Sequence, residues 1–264
     1  MTRLLVSVRD EAEACAAAEA GAGLVDLKDP AAGALGGLAP ERIAAVVRVL
    51  RARHPGRLVS ATIGDVGADR RAEILARVDA VARCGVDVVK VGIARVARGV
   101  EEASGLLQAL AGCGAAVVPV LLVDAIPGAA DVAEVDEALL AQALRAPAFP
   151  AVMLDTAAKG AGSLIERVPR AALAAFVERV RASGRRAGLA GALRAQDVPA
   201  LRALGPDFVG FRSAVCEGGR AGALDAERVR ALVRGFREYG VRSEDLTPFF
   251  EQACHVREGS GLQT

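Results

Sequence analysis

The chain contains no tryptophan, one tyrosine and seven phenylalanines, so aromatics make up 3% of its 264 residues. A core of this size must then be filled by Ala, Val and Leu. The stacking platforms used to bind single-stranded nucleic acid are not expected. Charge of either sign is not in excess: the formal net charge is +1, with basic residues scattered among acids. No long-range field would gather nucleic acid or an anionic membrane. The five cysteines are odd in number and lack CxxC spacing. Neither a disulfide framework nor a zinc site is expected, and small apolar fillers in a reducing compartment fit better. No run of about 18 apolar residues exists that could cross a membrane, and the N-terminus runs from Met1-Thr2-Arg3 directly into a short apolar segment. The expectation is a cytoplasmic protein acting on a small molecule without membrane or nucleic acid. The two histidines do not suggest a site: His54 sits in a helix-ending His-Pro-Gly turn and His255 in a C-terminal tail.

What the chain does have is alternation. Short aliphatic runs at residues 4–8, 24–28, 58–63, 87–91, 116–122, 151–154, 186–190 and 208–212 are separated by stretches of helical period rich in Ala, Arg and Glu. Eight such cycles without a break in composition predict one α/β domain, a (β/α)₈ barrel over residues 1–238. An open doubly wound sheet usually has fewer strands and a Gly-rich turn after the first. Here the first strand runs into Ser7-Val8-Arg9-Asp10. The stretch 124–150 is long for one connection and is expected to hold a lid or an extra helix. Residues 239–264 read as a C-terminal tail or interaction arm. The Ala-rich segments 70–84 and 169–180 offer faces for a second copy, and a homo-oligomer is expected.

The scarcest chemical feature is lysine. Of 33 basic residues only Lys28, Lys90 and Lys159 are lysines. A chain that uses arginine almost everywhere for surface charge keeps lysine where guanidinium cannot serve, because a desolvated amine can lose its proton and attack a carbonyl. Lys28 closes the second strand and Lys90 lies near the end of the fourth, where barrel side chains reach the mouth. Asp26 shares the face of Lys28 by the period of two. Asp155 ends the sixth strand, with Lys159 four residues later in a loop or first helical turn. Strands two, four, six and eight thus offer a converging ring of Lys28, Lys90, Asp155 and Arg212. Two neighbouring amines lower the pKa of at least one of them, which suits imine chemistry without metal or coenzyme. The last two loops, with Gly191, Arg212, Ser213, Gly218 and Gly219, fall where barrels commonly seat phosphate. The Thr62–Asp65 segment is polar but receives no role from spacing alone.

Several motifs in order, Leu4-Leu5-Val6-Ser7, Asp26-Leu27-Lys28-Asp29-Pro30 with Gly33 and Leu35-Gly36, Val59 to Asp65, Val89-Lys90-Val91-Gly92, Met153 to Lys159, and Leu189-Ala190-Gly191, resemble the (5-formylfuran-3-yl)methyl phosphate synthase family. The resemblance covers most of residues 3–236 and excludes the tail and most of 124–150. It implies a lyase that condenses two molecules of glyceraldehyde 3-phosphate, with loss of phosphate and water, to build the furan of methanofuran-type one-carbon carriers. By the same resemblance Lys28 matches the Schiff-base lysine and Lys90 the proton-transferring lysine, while Asp26, Asp155 and Lys159 fall in motifs lining that site. Two other readings stay open: a class I aldolase on another sugar phosphate, which would retain both phosphates, and a non-catalytic barrel that binds a phosphorylated metabolite.

Overall fold

A computed structural model describes residues 2–94, 100–124, 133–146 and 148–237. The tail at 239–264, His255 with it, and residues 125–132 and 147 lie outside the described residues. Eight strands, β1 (Arg3–Val8), β2 (Leu24–Leu27), β3 (Leu58–Thr62), β4 (Val88–Ile93), β5 (Val117–Leu122), β6 (Ala151–Asp155), β7 (Arg186–Leu189) and β8 (Phe208–Phe211), close in sequence order into a barrel. Every pairing is parallel, including β1 with β8, where Leu4 stands opposite Val209. All eight expected strands are present.

Between the strands run α1 (Glu11–Glu19), α2 (Pro40–Arg53), α3 (Arg71–Arg83), α4 (Val100–Ala111), α5 (Glu137–Arg145), the short α6 (Leu164–Arg167), α7 (Arg170–Ala182) and α8 (Val198–Leu204). The last helix, α9 (Ala226–Arg237), follows β8. Local signals set their ends. The Asp10 carboxylate caps α1 by accepting from Glu13 N–H, and Asp136 caps α5 through Ala138 and Leu139. Pro40 opens α2, and Gly205 in left-handed conformation closes α8. The helix in the long connection after β5 is α5, the regular partner of that strand.

Two apolar layers result. The larger lies between barrel and helices and joins residues such as Val6, Val25, Val89 and Leu154 to Ile43, Val78, Leu106 and Phe176. The smaller fills the barrel bore with Leu5, Leu24, Val88, Val118, Ala151, Met153 and Phe208. Gly188 is a requirement of that bore: a Cβ there would stand 2.3 Å from Phe208 Cζ. Strand alternation carries the bore residues upward into polar ones. Leu24 is followed on the same face by Asp26 and Lys28, Val88 by Lys90, Met153 by Asp155, and Leu5 by Ser7. The apolar bore thus ends in a charged floor at the C-terminal mouth.

Candidate active site

The floor is built around Asp26, whose side chain is fully buried. Ser7 Oγ donates to its Oδ2 at 3.0 Å and Ser60 Oγ to its Oδ1 at 2.7 Å. The register puts Ser7 and Ser60 beside Asp26 on either side, so three adjacent strands fix one carboxylate. Lys90 Nζ completes the arrangement at 2.8 Å from Asp26 Oδ2. A second pair stands across the mouth, where Lys159 bonds Asp155 Oδ1, which also accepts the Thr156 N–H at 2.7 Å. Burial alone would push both carboxyls up. For Asp26, Lys90 and Lys28 outweigh it, and for Asp155, Lys159 and Lys28 do, so both stay below the usual range.

Lys28 lies between these pairs and belongs to neither. Its backbone N–H extends the ladder to Val8 O, its side chain is buried at 6% exposure, and its amine has no hydrogen bond or ion pair among the described residues. Desolvation lowers its pKa to about 7, with Lys90 and Lys159 adding to the fall and Asp155 and Asp26 opposing it. Two amines are neutralised by two carboxylates. The third can stand as a free base near neutral pH, buried at the bottom of a cleft.

That cleft is walled by Lys28, Lys90, Asp155, Lys159, Gly191, Arg212, Ser213 and Arg220, among others. The rim after β7 is conformationally unusual. Gly191 has φ +119° and Ala192, a residue with a Cβ, has φ +46°. The backbone N–H groups of Gly191, Ala192 and Leu193 have no protein partner among the described residues, and all three residues line the cleft. A Cβ at Gly191 would meet Thr156 Oγ1 at 3.0 Å and the Thr156 backbone N at 3.1 Å, so the loop packs directly on the one that follows β6. A left-handed Ala costs about 1 kcal/mol, and such strain is characteristic of ligand clamps.

Three of the expected phosphate residues have other work. Arg212 faces the cleft, but its five N–H donors are all engaged: Nε by Arg220 O, Nη1 by Ser7 O and Glu13, and Nη2 by Glu13 and Gly222 O. Glu13, from α1, is 199 residues away in sequence, a partner that spacing does not reveal. Gly218 and Gly219 have φ +65° and +95° and shape the β8 loop without lining the cleft. Gly222 completes that fold-back, since a Cβ there would stand 1.6 Å from Glu217 O.

Other residues hold the loops in place. Asp124, following β5, accepts the Ala157 N–H at 2.5 Å and the Ala158 N–H at 2.9 Å and pairs with Arg167, fixing the turn that carries Lys159. Lys159 lies in that turn, not in a helix. The Thr62–Asp65 segment holds the β2 loop: Thr62 Oγ1 donates to Gly36 O at 2.8 Å and Asp65 accepts Leu35 N–H at 3.2 Å. Leu35 is thereby laid over the mouth beside Gly92. A second hollow under the β3 loop, lined by Asp65, Gly67, Gly92, Leu122 and Ala157, opens at the same end of the barrel. Among the described residues no group of three or more His, Cys, Asp or Glu is disposed to hold a metal ion, and no helix is long and apolar enough to cross a membrane.

Solved structures with the same barrel include a phosphoribosyl anthranilate isomerase from Thermus thermophilus, with TM-score 0.60 and 20% identity over 90% of this chain and 99% of that one. Another is a 3-hexulose-6-phosphate synthase from Salmonella typhimurium, with TM-score 0.58 and 17% identity over 90% of this chain and all of the other. Both likenesses concern the fold. Sequence relatives are much nearer. A Methylorubrum extorquens protein, assigned provisionally as (5-formylfuran-3-yl)methyl phosphate synthase, is 39% identical over 89% of this chain and 92% of its own. The (5-formylfuran-3-yl)methyl phosphate synthases of Methanococcus maripaludis strain C5 and Methanocaldococcus jannaschii are each 34% identical. They cover 89% and 87% of this chain and 99% and 97% of their own lengths. With residues 4–233 matching the 4-HFC-P synthase profile as well, the chain belongs to the 4-HFC-P synthase family.

Proposed function

We propose that the protein is a (5-formylfuran-3-yl)methyl phosphate synthase, a cytoplasmic carbon–oxygen lyase that joins two molecules of glyceraldehyde 3-phosphate for methanofuran-type cofactor synthesis. The balanced reaction releases one phosphate and two waters. The observation that carries this reading is Lys28, a buried amine without a partner and with a pKa near 7, placed between two amine–carboxylate pairs.

In this reading the neutral Lys28 Nζ attacks the C1 aldehyde of one triose phosphate, and loss of water gives an imine. The imine acidifies the C2–H; Lys90 passes its proton to the paired Asp26 carboxylate and, as the free amine, removes the C2 proton. Electrons from the broken C–H bond expel the C3 phosphate. The branching of the product requires the second triose to react through its central carbon after an isomerising proton shift. Asp155 and Lys159 are the pair assigned to that shift. The unengaged N–H groups of Gly191, Ala192 and Leu193 suit a phosphate oxygen, and the hollow under the β3 loop, at the same end of the barrel, is assigned to the second small substrate.

Purified protein given glyceraldehyde 3-phosphate should release phosphate and develop furan absorbance together. An aldolase would form a product that retains both phosphates, so carbon–carbon bond formation without phosphate release would sink the synthase reading. A protein that binds the triose and yields no product would be a non-catalytic barrel.

A further inference from the structure

Resting on that reading and extending it to substrate recognition, we infer that Arg220 is a phosphate ligand of the active site, supplied by the Gly-rich loop after β8. Arg220 crosses from that loop to the loop after β2. Its Nε donates to Pro30 O at 2.9 Å, and its Nη2 reaches Gly33 O and Ala34 O. These bonds engage Nε and Nη2. Nη1 has no acceptor among the described residues, and Arg220 forms part of the cleft wall with Lys28. Its neighbour Arg212 has no donor left to offer. Of the two guanidiniums in the cleft wall, one is consumed by the fold and one keeps an edge free.

Charge supports the same assignment. Around the cleft, Lys90, Lys159 and Arg212 are paired with Asp26, Asp155 and Glu13, whereas Lys28 and Arg220 make no ion pair among the described residues, which leaves unpaired positive charge when Lys28 is protonated. A phosphate monoester carries about −1.5 to −2 at neutral pH and would balance it. Asp155, the carboxylate in the same wall, already has Lys159 and the Thr156 N–H on its Oδ1. Arg220 also ties the loop after β8 to the segment that begins at Lys28. Seating an anion on its free edge would brace the stretch that carries the nucleophile.

The test compares borohydride-trapped Lys28 adducts formed from glyceraldehyde 3-phosphate and from unphosphorylated glyceraldehyde. Arg220→Gln should raise the half-saturating concentration of the phosphorylated aldehyde about 10- to 100-fold more than that of the unphosphorylated one, the usual worth of a hydrogen bond to a charged group. Arg220→Lys should recover part of the preference. Equal weakening for both aldehydes would mean that the guanidinium only straps the loops, and no change for either would also overturn the assignment. If the Gln variant fails to fold, the Lys variant carries the test, since an unchanged ratio between the two aldehydes refutes the inference. Inorganic phosphate binding by calorimetry, wild type against the folded variant, gives an answer even if no adduct forms: equal affinity overturns it. A protein that forms phosphate-selective adducts but no furan would sink the synthase reading and leave Arg220 standing.

Discussion

Replacing Lys28 with methionine should destroy activity and make the protein more stable, by an amount that the burial of the amine sets. The ordinary lysine value of 10.5 falls to about 7 here, so between those values the unfolded chain binds a proton that the folded chain does not. Stability therefore rises with pH across that window. The cost of Lys28 is fully present below about pH 7 and vanishes above about 10.5. A gap of that size is worth roughly 4 kcal/mol near neutral pH and about 1 kcal/mol at pH 10. Methionine fits the apolar stem, and its introduction leaves no carboxylate unpaired, because Asp26 retains Lys90 and Asp155 retains Lys159. For a domain of this size roughly 4 kcal/mol corresponds to a melting temperature higher by about 8 to 16 °C at pH 7, with a much smaller difference at pH 9.5 to 10. Paired thermal melts of wild type and Lys28→Met across this pH range provide the assay. Equal melting temperatures at every pH, or a variant less stable at neutral pH, would refute the view that the amine is held at an energetic cost for chemistry.

Three further outcomes are expected. The profile of kcat/KM against pH should rise with an apparent pKa near 7, since the amine is the reactive form; a rise centred near 10 would contradict the desolvated lysine. Asp124→Asn should leave a buried N–H or the Arg167 charge unsatisfied, at a cost of about 1–3 kcal/mol, and lower kcat while the Lys28 adduct still forms. Loss of stability with unchanged turnover would show that Asp124 does not position Lys159. Gly188→Ala should cost about 1–3 kcal/mol through its clash with the Phe208 ring, and Phe208→Leu in the same chain should recover part of it. Urea titration of the single and double variants measures both effects.

Much of this arrangement is legible in the sequence because it follows from periodicity and scarcity. Alternating strands and helices define the barrel, and the period of two carries Asp26, Lys28, Lys90 and Asp155 from the bore to its mouth. The rarity of lysine in an arginine-rich chain points to the three amines that gather there. Contacts between distant segments are less legible. Arg212 falls at the end of β8 as its position suggests, yet Glu13 of α1 pairs with its guanidinium, a contact that spacing does not reveal. Gly218 and Gly219 lie in the expected loop, but their positive φ angles serve its fold-back, and the side chain that the loop delivers to the cleft is Arg220. Spacing gives Thr62 and Asp65 no role because their partners, Gly36 O and Leu35 N–H, belong to the preceding loop. Asp124 carries no motif at all and is recognised only through the two backbone N–H groups it receives.

The most direct measurement of the central claim is borohydride trapping with glyceraldehyde 3-phosphate, followed by peptide mapping, at a series of pH values around neutrality. A reduced triose adduct on Lys28 alone, with yield climbing through about pH 7, is the predicted result. An adduct on Lys90 or Lys159 in place of Lys28, or none on any lysine, would contradict the assignment of the unpaired amine as the nucleophile.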